Sequence, residues 1–127
     1  MRAKQELTYV ISEKHFVAIV NFRGPLFGQF TRVIESCEQD LKSRKINWVI
    51  LNFQDVPEVE FVVVPQLARL QKTIRESVVG LRMCSLNRAV MMVLGDRVLL
   101  RPGEVYRNLP EAMKSLPESR ALSTKAA

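Results

Sequence analysis

The chain has one histidine and two cysteines in 127 residues, and no apolar run approaches the ~20 residues a helix needs to cross a bilayer. Each scarcity closes off a class of function. His15 has no second histidine and no cysteine cluster with which to hold zinc, and in a predicted turn it reads as a solvated residue. Cys37 and Cys84 are too few and too far apart for a disulfide framework. Both fall inside apolar patterns, so they read as small core residues with no redox role. The N-terminal stretch carries charges of mixed sign and no signal-peptide pattern, so the expected location is the cytoplasm, with no membrane partner. Neither internal repeats nor a low-complexity segment precede the C-terminal tail.

Charge of one sign is in excess. The net charge is +6 and the sequence pI is about 9.7, which raises nucleic acid as a partner. The cations are dispersed, however. Their densest groupings are Lys42, Arg44 and Lys45 at one predicted helix end, where the macrodipole alone favours them, and Arg69, Lys72 and Arg75 stepping along another helix. Two tyrosines and no interleaving of aromatic with basic residues leave little on which bases could stack, which argues against nucleic acid. The Arg69, Lys72, Arg75 ribbon is open to two compatible readings: a solvated helix face, or a rim that steers an acidic partner.

What is present is an ordinary globular composition, 47% hydrophobic and 25% charged, in a chain long enough for one domain that buries roughly 65–70% of its unfolded surface. Residues 7–11 alternate as a half-buried strand, and 16–22 form a longer one, with the polar Ser12-Glu13-Lys14-His15 as the hairpin turn. After Gly24-Pro25, the residues Phe27, Phe30, Val33, Ile34, Cys37 and Leu41 mark an amphipathic helix ending near Lys45. Trp48-Val49-Ile50-Leu51-Asn52-Phe53 reads as a strand covered on both faces, followed by a helix over 64–77 with Pro65 in its first turn. A strand over 78–86, a short well-buried helix over 88–94, and a last strand at Glu104-Val105-Tyr106 in preference to Val98-Leu99-Leu100 come next. A terminal helix opens at Leu109-Pro110. The expected fold is α/β: a mixed, mostly parallel sheet of about five strands, helices mainly on one side, and an antiparallel N-terminal hairpin. The domain is expected over residues 1–116, with a flexible tail over 117–127.

Candidate chemistry is thin. Gly24-Pro25-Leu26-Phe27-Gly28-Gln29 follows a strand and opens a helix, but a phosphate loop needs Lys-Ser/Thr after its last glycine. Pro25 also removes an N–H from any anion nest. Asp55, Glu58 and Glu60 read as solvated carboxylates or as favouring the helix N-terminus beyond them, not as an acid–base group. Cys37 faces a core stripe and cannot pair with His15 as a nucleophile. No catalytic residue and no cofactor are therefore expected.

The order of pieces resembles the STAS domain, the fold of anti-sigma factor antagonists. Val17-Ala18-Ile19-Val20-Asn21-Phe22-Arg23-Gly24-Pro25-Leu26 is similar to that family's strand ending in a Gly-x-Leu turn. Trp48-Val49-Ile50-Leu51-Asn52-Phe53-Gln54-Asp55-Val56 resembles its "Leu-Asn/Asp, x-x-Asp-Val" strand. Leu81-Arg82-Met83-Cys84-Ser85-Leu86-Asn87-Arg88-Ala89-Val90 and Leu109-Pro110-Glu111-Ala112-Met113 resemble its later strand-to-helix segment and the start of its last helix. The resemblance spans roughly residues 7–115 and implies a non-enzymatic module that works through a regulatory protein partner, such as an anti-sigma factor, in bacterial signalling and regulation of transcription. The departure is at the switch. Phosphorylatable members carry Asp-Ser-Ser-Gly where this chain has Glu60-Phe61-Val62-Val63, so the acceptor serine falls at Val62, and the aspartate of the Gly-x-Leu-Asp turn falls at Phe27. The resemblance then implies no phosphorylation at that site.

Open α/β sheets keep ligand-handling polar groups where strands end, and Phe61-Val62-Val63 is apolar at such a place. If the strands over 16–22 and 48–53 are neighbours, Phe27, Phe61 and Val62 gather at one edge, flanked by Val63 and rimmed by Glu58, Glu60, Arg69 and Lys72. The opposing reading is that both phenyl rings fold inward as a staple over the core. The patch reading predicts a protein partner, with a second copy of the chain as a further candidate. Its alternative is a small nucleotide or lipid ligand on the same edge.

Overall fold

The computed structural model describes residues 6–96 and 99–117; of the expected tail, 118–127 lie outside the described residues. Strands β1 (Thr8–Lys14) and β2 (Val17–Arg23) form the N-terminal hairpin. Its turn is tighter and later than the polar run suggested. Lys14 pairs with Val17, so only His15 and Phe16 close it, both at positive φ (52° and 66°). Phe16 is thus a turn residue and not the first of β2. Gly24 then bends the chain at φ 110°, where a β-carbon would collide with the carbonyl of Glu6; glycine alone fits.

A 3-10 turn (Gly28–Phe30) leads into helix α1 (Thr31–Lys42), then strand β3 (Trp48–Asp55). A second 3-10 turn (Phe61–Val63) enters helix α2 (Val64–Ser77), whose first turn holds Pro65. Strand β4 (Gly80–Cys84), helix α3 (Arg88–Asp96), the two-residue strand β5 (Val105–Tyr106) and helix α4 (Leu109–Lys114) complete the chain. Asn108 caps α4 by accepting from the Glu111 N–H at 2.9 Å.

The sheet order is β1-β2-β3-β4-β5, antiparallel in the first pair and parallel in the rest. Side chains alternate across it. Ala18, Val20, Phe22, Val49, Leu51, Phe53, Leu81 and Met83 meet α1, α2 and α3 in the main core, where the Phe22 and Phe53 rings lie 5.9 Å apart. On the other face, Val17, Trp48, Ile50 and Cys84 are covered through Ala112 of α4. Burial of β3 on both sides accounts for its unbroken apolar run. The third helix departs from expectation. Its apolar pattern predicts a well-buried helix, yet over residues 88–94 only Val90 and Leu94 are enclosed, and Met92 is 61% exposed, because α3 presents one face outward.

Candidate functional site

Because β2 and β3 are parallel neighbours, the loops that follow them leave the same edge of the sheet. They then run alongside each other. The Gly24 N–H donates to the Asp55 carbonyl (2.9 Å), Leu26 N–H to the Glu58 carbonyl (3.0 Å), and Glu60 N–H back to the Leu26 carbonyl (3.0 Å). Leu26 and Val59 anchor this bridge from below, both buried. One step on, the Gly28 N–H donates to the Glu60 carboxylate at 2.8 Å, so Glu60 caps the turn before α1, not the helix that follows it in sequence. A β-carbon on Gly28 would stand 2.8 Å from Val62 Cγ1. The two loops are closed against each other at glycine distance.

The residues expected at this edge divide into three groups. Phe61 and Val62 point outward, 52% and 68% exposed, with Glu58 and Glu60 exposed beside them. Phe27 is half-buried at the start of the 3-10 turn, so neither of the two opposed readings holds for both rings: Phe61 is outside and Phe27 is partly tucked in. Val63 is fully buried in the main core. It faces the sheet because the chain enters α2 one residue later, and it presents nothing to a partner.

The basic residues of α2 do not make one ribbon. Arg69 leans toward α1, its Nε 3.6 Å from Glu38. Arg75 points the other way and makes a two-pronged pair with Glu104 at 2.6 and 3.1 Å, largely withdrawn from solvent. Lys72 lies between them, exposed. Arg69 is thus turned to α1, Lys72 lies beside Arg75 further along the helix, and Arg75 is committed to Glu104.

Two residues not singled out from sequence help build the edge. Asn87 donates to the carbonyls of Val56 (3.2 Å) and Pro57 (3.0 Å) while its Oδ1 accepts from Val90 N–H (2.8 Å). One side chain thus caps α3 and fastens the loop that carries Phe61. Asn52 donates to Asn21 Oδ1 at 2.8 Å and accepts from the Gln54 N–H at 3.2 Å, tying the ends of β2 and β3 beneath the loops. An asparagine just before a helix is an N-cap signal; its second attachment is long-range and invisible in sequence.

The electrostatics of the thiols are those of core residues. Burial, then Asp40, pushes Cys37 up to about 12, and burial raises Cys84 as well; neither is a thiolate at neutral pH. Among the described residues no cluster of three His, Cys, Asp or Glu side chains is arranged to hold a metal ion, and no helix is long and apolar enough to cross a membrane. What the edge offers is apolar area with a mixed-charge rim.

No family model matches the sequence, and no curated protein does. Solved structures do. An anti-sigma factor antagonist from Mycobacterium paratuberculosis superposes with a TM-score of 0.79 at 14% identity, covering 93% of this chain and all (100%) of that one. The STAS domain of a SulP transporter from Vibrio cholerae gives 0.67 at 18% identity, over 90% of this chain and 87% of that one. Murine solute carrier 26 family member A9, an anion transporter, gives 0.72 at 14% identity, over 93% of this chain but 22% of its own. The chain has the STAS fold.

Proposed function

We propose that this chain is a non-enzymatic protein–protein interaction module of bacterial signalling or regulation, working without serine phosphorylation at the site usual for its fold. One observation carries the reading. At the strand ends where the resemblance puts a phosphoacceptor, two apolar side chains, Phe61 and Val62, stand exposed, and Val62 has no hydroxyl to modify. An aromatic residue at the centre of a docking face is a common anchor. Glu58, Arg69 and Lys72 form the rim, Glu60 contributes its outer surface, and Phe27 supports the patch from the side. The partner is a regulatory protein whose own surface is apolar at the centre, an anti-sigma factor or another signalling protein; a second copy of the chain fits the same description.

Affinity purification from the native cell, run in parallel with wild-type and Phe61→Asp bait, tests this. A charge at the centre of the patch is expected to weaken capture of the specific partner by more than about tenfold, with far-UV circular dichroism and melting temperature unchanged because Phe61 is outside the core. An identical partner set bound equally well by both baits would remove the edge from the account. A saturable rise in melting temperature with nucleotide or lipid would instead favour a small ligand.

A further inference from the structure

The opposite end of the parallel strands carries a second exposed apolar row, beside two consecutive non-glycine residues at positive φ. The two-residue hairpin turn requires positive φ at both positions, a geometry that strongly favours Asn-Gly. His15 and Phe16 occupy it instead, and a bulky aromatic residue there is a conformational outlier. The strained turn is held by long-range hydrogen bonds, since the Phe16 carbonyl accepts from the N–H groups of Asn47 (2.8 Å) and Trp48 (3.2 Å). Yet the side chain whose presence strains it is not used to fill the core: Phe16 is 40% exposed. Next to it, Asn47 accepts from the Val79 N–H at 2.8 Å, and Val79 is 46% exposed. Phe16, Asn47 and Val79 are therefore neighbours across three segments.

Two lysines lie close to this row: Lys14 two residues before Phe16 and Lys45 two residues before Asn47, both exposed. Of the nearby acids, Glu13 and Asp40 share Arg44, at 2.7 and 2.9 Å, and Glu76 stands exposed three residues before Val79. Lys14 and Lys45 have no carboxylate partner among the described residues. An exposed turn that combines an aromatic ring, an aliphatic neighbour and lysines without a carboxylate partner suits a soft, negatively charged boundary. We propose that the His15-Phe16 turn is a membrane-surface docking site, inserting Phe16 among the headgroups of an anionic bilayer while Lys14 and Lys45 meet its charge. The expectation of no membrane partner rested on the lack of a spanning segment and of a signal-peptide pattern, and a docking turn needs neither. The net charge of +6 acts in the same direction.

Co-sedimentation of the full chain with phosphatidylcholine–phosphatidylglycerol vesicles, against phosphatidylcholine alone, is the direct test. Binding to the anionic vesicles only is expected, weakened about tenfold by Phe16→Gly and reduced by Lys45→Glu. The control is Arg107→Glu, the same change of net charge beyond β5, expected to bind nearly as wild type. Phe16→Gly also relieves the turn, so its melting temperature should hold or rise while its vesicle binding falls, a combination that a merely structural phenylalanine would not give. The proposal is overturned if wild type ignores anionic vesicles, as a turn built for an acidic protein would. It is equally overturned if Phe16→Gly binds as well as wild type or melts markedly lower, or if Arg107→Glu weakens binding as much as Lys45→Glu.

Discussion

At the scale of single residues, the buried thiol of Cys37 gives the fold a measurable pH signature. It is fully enclosed in α1, and burial raises it from an ordinary 9.0 to about 12. The sign follows from which state holds the proton. Below 9 both folded and unfolded chains carry the neutral thiol; above it the unfolded chain ionises first and is favoured. Stability attributable to this group is whole below about pH 9 and is lost as pH rises toward about 12, at roughly 1.4 kcal/mol per pH unit. Urea midpoints of wild type and Cys37→Ala across pH 8 to 11 should therefore diverge with pH, wild type losing more; parallel curves would mean the thiol is less enclosed than its packing indicates. The site residues show what was readable at this scale and what was not. Phe61 and Val62 were legible as an apolar break in a place that is usually polar. Val63 was not separable from them, because three apolar residues entering a helix through a 3-10 turn carry no phase. Nor was Glu60's hydrogen bond to Gly28, which joins residues 32 apart in sequence.

At the scale of elements, α1 and α2 are joined by a buried carboxylate. Glu38 is almost completely enclosed and accepts from Thr73 Oγ1 at 2.9 Å, while Lys42 and Arg69 stand off at 3.6 Å. Both cations are well exposed, so solvent screens their attraction. The short hydroxyl bond is the dominant local tie. Thr73→Val keeps the shape and removes the donor, leaving a buried carboxylate oxygen short of a partner, which should cost about 1–3 kcal/mol in urea denaturation; a loss below a few tenths would show that water or Lys42, 3.6 Å from the same oxygen, takes over. Elements whose sequence pattern reports their own surroundings were the legible ones. The unbroken Trp48–Phe53 run announced a strand covered on both faces, and Pro65 marked the first turn of α2. The hairpin turn was misplaced because His15-Phe16 lacks every usual turn residue. The third helix was over-buried because an apolar helix with one face outward looks the same in sequence as one covered all round.

At the scale of the molecule, one sheet supports two unequal cores, and the candidate edge belongs to neither. A mostly parallel succession of strands and helices after an antiparallel hairpin was foreseeable from the alternation of elements, while the adjacency of β2 and β3 was not. That the short last helix would close the second face was not, since Leu109, Ala112 and Met113 find their partners on Trp48, Ile50 and Cys84, far off in sequence. Trp48, the single tryptophan, reports on that face. Ala112→Asp would bury an unpaired carboxylate against it. The expected result is a red-shifted tryptophan emission as α4 lifts away, with a loss of stability of more than about 3 kcal/mol. Unshifted emission with native stability would mean that α4 does not seal the second core. The contrast with Phe61→Asp is informative: the same kind of charge is introduced in both. On the edge it should leave emission and melting untouched and remove only the partner; under α4 it should disturb the fold. That separation is what a recognition surface built on loops over a rigid sheet requires.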